Sequence, residues 1–151
     1  MPPRPAEPVA ARALLDTWVD PEAVFAAVAA GSSHAFWLDA GADAEDGWSW
    51  LGTGRAEQDI EAVRRVALGR DEADDDGIRF RGGWVGWWDY DSAAARAGAP
   101  SADPESAGAR WMRVDSLLAF DHSSRRVWAV GPDAARLAAA AWTTPHPICF
   151  I

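Results

Sequence analysis

Residues 33–52 read SHAFWLDAGADAEDGWSWLG, and the fold turns on this stretch. Ser33–Asp39 is a short apolar run of the length of a buried strand. Gly41–Gly47 is acidic and bounded by glycines, which marks a solvated turn. Trp48–Gly52 alternates large aromatic side chains with small or apolar ones, the period of a strand. Two strands so closely joined pair antiparallel, so a hairpin is expected here.

Toward the amino terminus, Asp20-Pro21-Glu22 opens a helix. Aspartate suits the N-cap, proline the first helical position, and glutamate the positive helix end. Val24, Phe25 and Val28 give that helix one apolar face, and Gly31 stops it. Val9–Trp18 reads as a first strand. Residues 1–8 carry four prolines and are expected to form a disordered tail.

Toward the carboxyl terminus, Gly52-Thr53-Gly54 closes the hairpin. Glu57–Leu68 is then amphipathic, with Ile60, Val63, Val66 and Ala67 on one helical face and Gly69 as its stop. Asp71–Gly77 is an acidic loop. Arg79–Tyr90 (RFRGGWVGWWDY) reads as a bent strand whose glycines admit another backbone or a ligand. Ser92–Ala97 predicts a short helix and residues 98–108 a loop. Trp111–Phe120 and Val127–Val130 predict strands joined around Asp121-His122-Ser123-Ser124, and alanine-rich Pro132–Trp142 a helix. Residues 143–151 form an irregular tail. This order predicts one α+β domain over residues 9–142, a mainly antiparallel, sandwich-like sheet with three or four flanking helices.

The chain carries 23 acidic against 14 basic residues, a net charge of −9 over 151 residues, and every base is arginine. Without concentrated positive charge it is expected to bind neither nucleic acid nor an anionic membrane surface. No apolar run approaches the roughly 18 residues of a membrane span, and MPPRPAEPVAAR lacks the apolar core of a signal peptide. The single cysteine, Cys149, excludes an internal disulfide and fits a cytoplasmic location. Ten tryptophans are more than so small a chain covers easily, so some are expected to face a ligand or a partner.

Motifs for independent chemistry fail one by one. Gly52-Thr53-Gly54 has Glu57 where a dinucleotide loop needs its third glycine, and a carboxylate there repels a pyrophosphate. Glu72, Asp74, Asp76 and Gly77 imitate a calcium loop whose twelfth position is Gly83 instead of a bidentate glutamate. Gly47-Trp48-Ser49 lacks the closing glycine of a nucleophile elbow, and His146 with Cys149 lacks a second ligand pair for zinc. Asp121-His122 at a hairpin turn reads as structural in preference to catalytic. Trp84, Trp87 and Trp88 are a core cluster or a sugar-stacking platform. No catalytic residue and no metal ligand is assigned.

Three segments in order resemble the amino-terminal region of the anthranilate synthase and aminodeoxychorismate synthase component I family, across residues 9–142. They are Phe36-Trp37-Leu38-Asp39-Ala40 with Trp48-Ser49-Trp50-Leu51-Gly52, then Phe80–Asp91, then Val114–His122 ending in Phe120-Asp121-His122. The first resembles the family's "leucine, acid, serine" strand and the aromatic strand after it. The resemblance implies chorismate metabolism, in which a glutamine amidotransferase partner delivers ammonia and Mg²⁺ assists. The chorismate and Mg²⁺ residues belong to a larger chorismate-binding domain, and the chain is expected to stop before it. The fold is then incomplete alone, and an apolar strip from the 80–90 segment and the Trp111 strand should lie bare.

What the resemblance carries over is an effector pocket of the kind that holds tryptophan, at Leu38, Asp39, Ala40, Trp48, Ser49 and Trp50. Asp39 is placed to pair with a ligand ammonium. Ala40 replaces the family's serine, a lost hydrogen bond worth about 0.5–1.5 kcal/mol. Trp48 and Trp50 occupy space a ligand indole needs. These departures favour the aminodeoxychorismate branch, toward 4-aminobenzoate and folate, in a non-catalytic regulatory or structural role. The alternatives are the anthranilate branch, toward tryptophan, and a small tryptophan-rich module for sugars or aromatic ligands.

Overall fold

The computed structural model describes residues 11–64, 77–100 and 109–143. The elements are β1 (Arg12–Leu14), α1 (Pro21–Ala29), β2 (Ala35–Leu38), β3 (Trp48–Thr53), β4 (Arg55–Glu57), α2 (Ile60–Arg64), β5 (Gly83–Trp88), α3 (Tyr90–Arg96), β6 (Ala109–Val114), β7 (Leu117–Asp121), β8 (Arg126–Val130) and α4 (Ala134–Trp142). The expected tail at residues 1–8, that at 143–151 apart from Thr143, which caps α4, most of the acidic loop and calcium-like segment, residues 101–108 of the loop, and the His146–Cys149 pair lie outside the described residues.

The strands form two antiparallel sheets, one ordered β1-β8-β7-β3-β2 and one ordered β4-β6-β5. The α+β fold with a mainly antiparallel, two-sheet body is therefore as expected. The β2–β3 hairpin forms with Phe36 opposite Gly52 and Leu38 opposite Trp50. Helix α1 begins at Pro21, capped by the Asp20 carboxylate on the Glu22 and Ala23 amides.

Strand β7 is central to the larger sheet, and Leu117, Leu118, Ala119 and Phe120 are all fully buried. Its unbroken apolar run reflects cover on both faces. Leu118 and Phe120, with Leu51, Val127 and Ala129, pack against Val24 and Val28 of α1 and Leu137 and Ala141 of α4. Leu117 and Ala119, with Phe36 and Val130, face Met112 and Val114 of the smaller sheet. The molecule is thus layered as helices, five-stranded sheet, three-stranded sheet.

Several expectations change. The strand read over Val9–Trp18 is only Arg12–Leu14 among the described residues, and Tyr90, read as the end of the 79–90 strand, begins α3. Gly52-Thr53-Gly54 does not end the strand system; the chain bends there and continues into β4, which pairs with β6. A Cβ on Gly54 would lie 2.6 Å from the Arg113 carbonyl oxygen, so the crossing of the two strands requires glycine. The helix predicted over 57–68 accordingly starts only at Ile60. Likewise Trp111–Phe120 is not one strand: it breaks at Asp115-Ser116 into β6 and β7, in different sheets. Apolar periodicity cannot report which sheet a strand joins, so both corners were invisible in the pattern.

Asp115 pins one corner to the other by accepting from Arg55 Nη2 at 2.7 Å and Arg113 Nε at 3.0 Å. Burial acts to raise the Asp115 carboxyl, but these two donors outweigh it and hold the group below the usual aspartate range. A depressed carboxyl contributes its stability above the unfolded-state pKa and loses it as the pH falls through the folded value. The difference in unfolding free energy between the natural chain and Asp115→Asn should therefore be largest at neutral pH and shrink on acidification. Because these side chains are well exposed, screening keeps the effect small and salt-sensitive. A difference independent of pH, measured by denaturant titration, would contradict this account.

Candidate functional site

At one end of the larger sheet a polar cluster interrupts the apolar layer. Ser49 on β3 is fully buried beneath the helices. Its Oγ accepts from the Ala40 amide at 3.0 Å, donates to Asp39 Oδ1 at 2.9 Å, and lies 2.8 Å from His122 Nε2. His122 follows β7 and is 8% exposed. Its backbone amide donates to the Gly47 carbonyl, which ties it to the end of the β2–β3 turn.

A proton count fixes the direction of every bond. The one hydroxyl hydrogen of Ser49 goes to Asp39 Oδ1. The Ser49 oxygen must then accept from His122, which therefore carries a hydrogen on Nε2. This is not a nucleophile–base–carboxylate relay. Ser49 is inaccessible, its proton is held by the carboxylate, and its oxygen already accepts two hydrogen bonds.

Trp18 covers the cluster, packing edge-on against His122 at 5.3 Å and Phe120 at 5.7 Å. Arg125, in the β7–β8 turn, lays its guanidinium 4.1 Å from the Trp18 ring centre. It is the one non-glycine residue with positive φ among the described residues, at 55°. Outside this layer opens a cleft of about 510 Å³ lined by Trp18, Trp37, His122, Arg125 and the carboxylates of Asp20, Glu22, Asp39, Asp43 and Glu45.

The six residues expected to form an effector pocket divide between two faces. Asp39, Ala40 and Ser49 meet in the cluster, Ala40 through its backbone amide alone. Trp48 and Trp50 lie on the opposite face of β3, stacked at 6.3 Å with 12° between planes, against the inter-sheet core. Leu38 is 44% exposed and lines a second groove of about 760 Å³, with Phe36, Val85, Trp87, Arg110 and Met112. Asp121 and His122, read from the sequence as structural in preference to a catalytic pair, bond to different partners. Asp121 accepts from the Ser123 and Ser124 amides and the Ser124 hydroxyl, capping the turn. Period-two alternation from buried Phe120 places His122 on the inner face, a signal available in the sequence. Trp18 and Arg125 carried no such signal.

The β5 indoles do not form one platform. Trp84 and Trp88 project to one face, beneath Arg113 at 5.4 Å and Arg96 at 4.9 Å, while Trp87 projects to the other. Trp84 Nε1 also donates to Glu57 Oε2 at 3.0 Å, and this bond is the main reason the Glu57 carboxyl is held below its usual range. The indole nitrogens of Trp37, Trp50 and Trp111 are buried and have no acceptor among the described residues.

No helix among the described residues is long and apolar enough to cross a membrane. No three His, Cys, Asp or Glu side chains among the described residues converge to hold a metal ion. Neither a family model nor a curated protein matches this chain.

Proposed function

We propose that the chain is a non-catalytic amino-terminal domain of a component I enzyme, on the aminodeoxychorismate branch of chorismate metabolism. The observation that carries this reading is the groove beside β2. Two segments that resemble the family, Phe36–Leu38 and Val85–Trp87, lie far apart in sequence and line that groove together. They leave Leu38 and Trp87 44% and 53% exposed to it. Exposed apolar side chains gathered in one concave surface mark an interface. The chorismate-binding domain is the occupant this reading assigns, and the glutamine amidotransferase partner and Mg²⁺ belong with it. The described residues bring together no ligand set that fits Mg²⁺. In this reading chorismate amination is the work of the other domain, and the present chain completes and supports its fold.

The test is reconstitution. A chorismate-binding domain of a component I enzyme, produced without its own amino-terminal domain, is mixed with this chain, chorismate, ammonia and Mg²⁺. A one-to-one complex is expected, with amination only in the mixture. Trp87→Ala should weaken the complex while leaving the circular dichroism of the chain unchanged, because Trp87 is half exposed. Absence of a complex, or chorismate turnover by this chain alone, would refute the proposal.

A further inference from the structure

The turn between β2 and β3 holds Asp46-Gly47, the one Asp-Gly bond with both residues among those described. We infer that this bond is a site of spontaneous covalent modification, closing to a succinimide and reopening mainly as isoaspartate, and that the change reaches the anchor of His122. The chemistry needs no second domain and no chorismate, only water.

Succinimide closure needs an unengaged carboxyl, a free amide on the next residue and room for the ring. All three hold at Asp46. Its side chain is exposed and makes no hydrogen bond or ion pair among the described residues. The Gly47 amide donates to no group among the described residues, while the Gly47 carbonyl accepts from the His122 amide at 3.0 Å. Gly47 has φ 81°, and a Cβ built on it would meet only the Ala40 Cβ, at 3.8 Å. Glycine also lacks the side chain that shields the amide nitrogen in other residues. The comparable bonds are protected. Asp115, before Ser116, is held by Arg55 at 2.7 Å and Arg113 at 3.0 Å. Asp91 lies in the first turn of α3, and the Ser92 amide after it donates to Asp89 Oδ1 at 2.8 Å. Asp39 and the Ala40 amide are both engaged by Ser49. The other Asp-Gly bond, Asp76-Gly77, begins outside the described residues. The chain has no asparagine, so deamidation cannot yield the same product.

In the first step the Gly47 nitrogen bonds to Cγ of the neutral Asp46 carboxyl. The Cγ–OH bond breaks, and the hydroxyl leaves with the amide proton as water. Water then opens the ring at either carbonyl. Breaking the new N–Cγ bond restores aspartate. Breaking the original peptide bond leaves the chain running through the Asp46 side chain, with its α-carboxylate as the branch. The backbone is then longer by a methylene and the mass is unchanged. That methylene lies directly before Gly47, whose carbonyl holds the His122 amide, and His122 Nε2 bonds Ser49. A shift at Gly47 therefore reaches the buried cluster.

The test holds the intact chain at neutral pH and body temperature for weeks in water enriched in heavy oxygen, then maps its peptides by electron-transfer fragmentation. Isoaspartate carrying a solvent oxygen is expected at Asp46. It should be at least about tenfold more abundant there than at Asp91 or Asp115, where charge-assisted hydrogen bonds must break first. The contrast should narrow in urea, which removes those bonds. Asp46→Glu keeps the charge at an exposed position but demands a larger ring, and should abolish the product at that position. The isoaspartyl form, separated by ion exchange, should exchange its His122 amide hydrogen faster than the natural form, while Leu118 stays protected. No isoaspartate at Asp46, equal amounts at the three sites, a contrast unchanged in urea, or equal His122 exchange in the two forms would each overturn the inference.

Discussion

Phe120→Ala should destabilise the protein by about 3–5 kcal/mol, the usual cost of emptying a buried aromatic site. Phe120 is fully buried at the centre of the helix-facing core, opposite Ser49 on one neighbouring strand and Val127 on the other. Both neighbours lie in the sheet, so the cavity cannot close by a local loop movement. Its ring also supports Trp18 edge-on, and Trp18 covers His122. The loss is a large part of the roughly 5–15 kcal/mol that holds a typical domain folded. Denaturant titration followed by tryptophan emission should give a sharply lower midpoint, and Phe120→Leu a much smaller change. A loss below about 1 kcal/mol for the alanine variant would mean that this core is not packed as described.

Gly131→Ala should cost about 2–4 kcal/mol, from strain added to overpacking. Gly131 follows β8 at φ 104°, a conformation that L side chains rarely adopt. A Cβ there would run into the Asp115 carbonyl oxygen and come within 2.6 Å of Ser116 Oγ. Ser116 Oγ accepts from the Asp133 amide at 3.0 Å and so anchors the start of α4 to the β6–β7 corner. One methyl group therefore acts on three elements: the corner, the end of β8 and the entry to α4. Thermal unfolding should show the loss, and exchange of the Asp133 amide should accelerate beyond the global change. An alanine variant as stable as the natural chain would show that the corner is looser than these contacts imply.

Much of this architecture was legible because it follows from local chemistry. Asp20-Pro21-Glu22 specifies a helix start whatever surrounds it, and α1 begins at Pro21. The acidic, glycine-bounded segment 41–47 between two apolar runs specifies a hairpin, and β2 pairs with β3 in that way. Asp121 through Ser124 specifies a turn through side chains that bond their own backbone, and Asp121 does so. Less was legible of the candidate site. Asp39 and Ser49 were identifiable as neighbours across the hairpin. That Ser49 faces away from Trp48 and Trp50 follows from period-two alternation along β3; that the helices cover the Ser49 face and the smaller sheet the other depends on the packing of distant segments.

By itself the sequence determined most of the helices and strands, though not β4 or the break between β6 and β7, and with them the antiparallel character and the α+β class, because caps, turns and period-two alternation act over a few residues. Only the tertiary structure decided that residues 53–54 and 115–116 are corners between two sheets. It alone brought His122 across 73 residues to Ser49 and set Trp18 and Arg125 over them. The reason is physical: a short-range signal fixes the conformation of a segment, whereas the partner of a buried hydroxyl or the occupant of an indole face is chosen by the packing of distant segments.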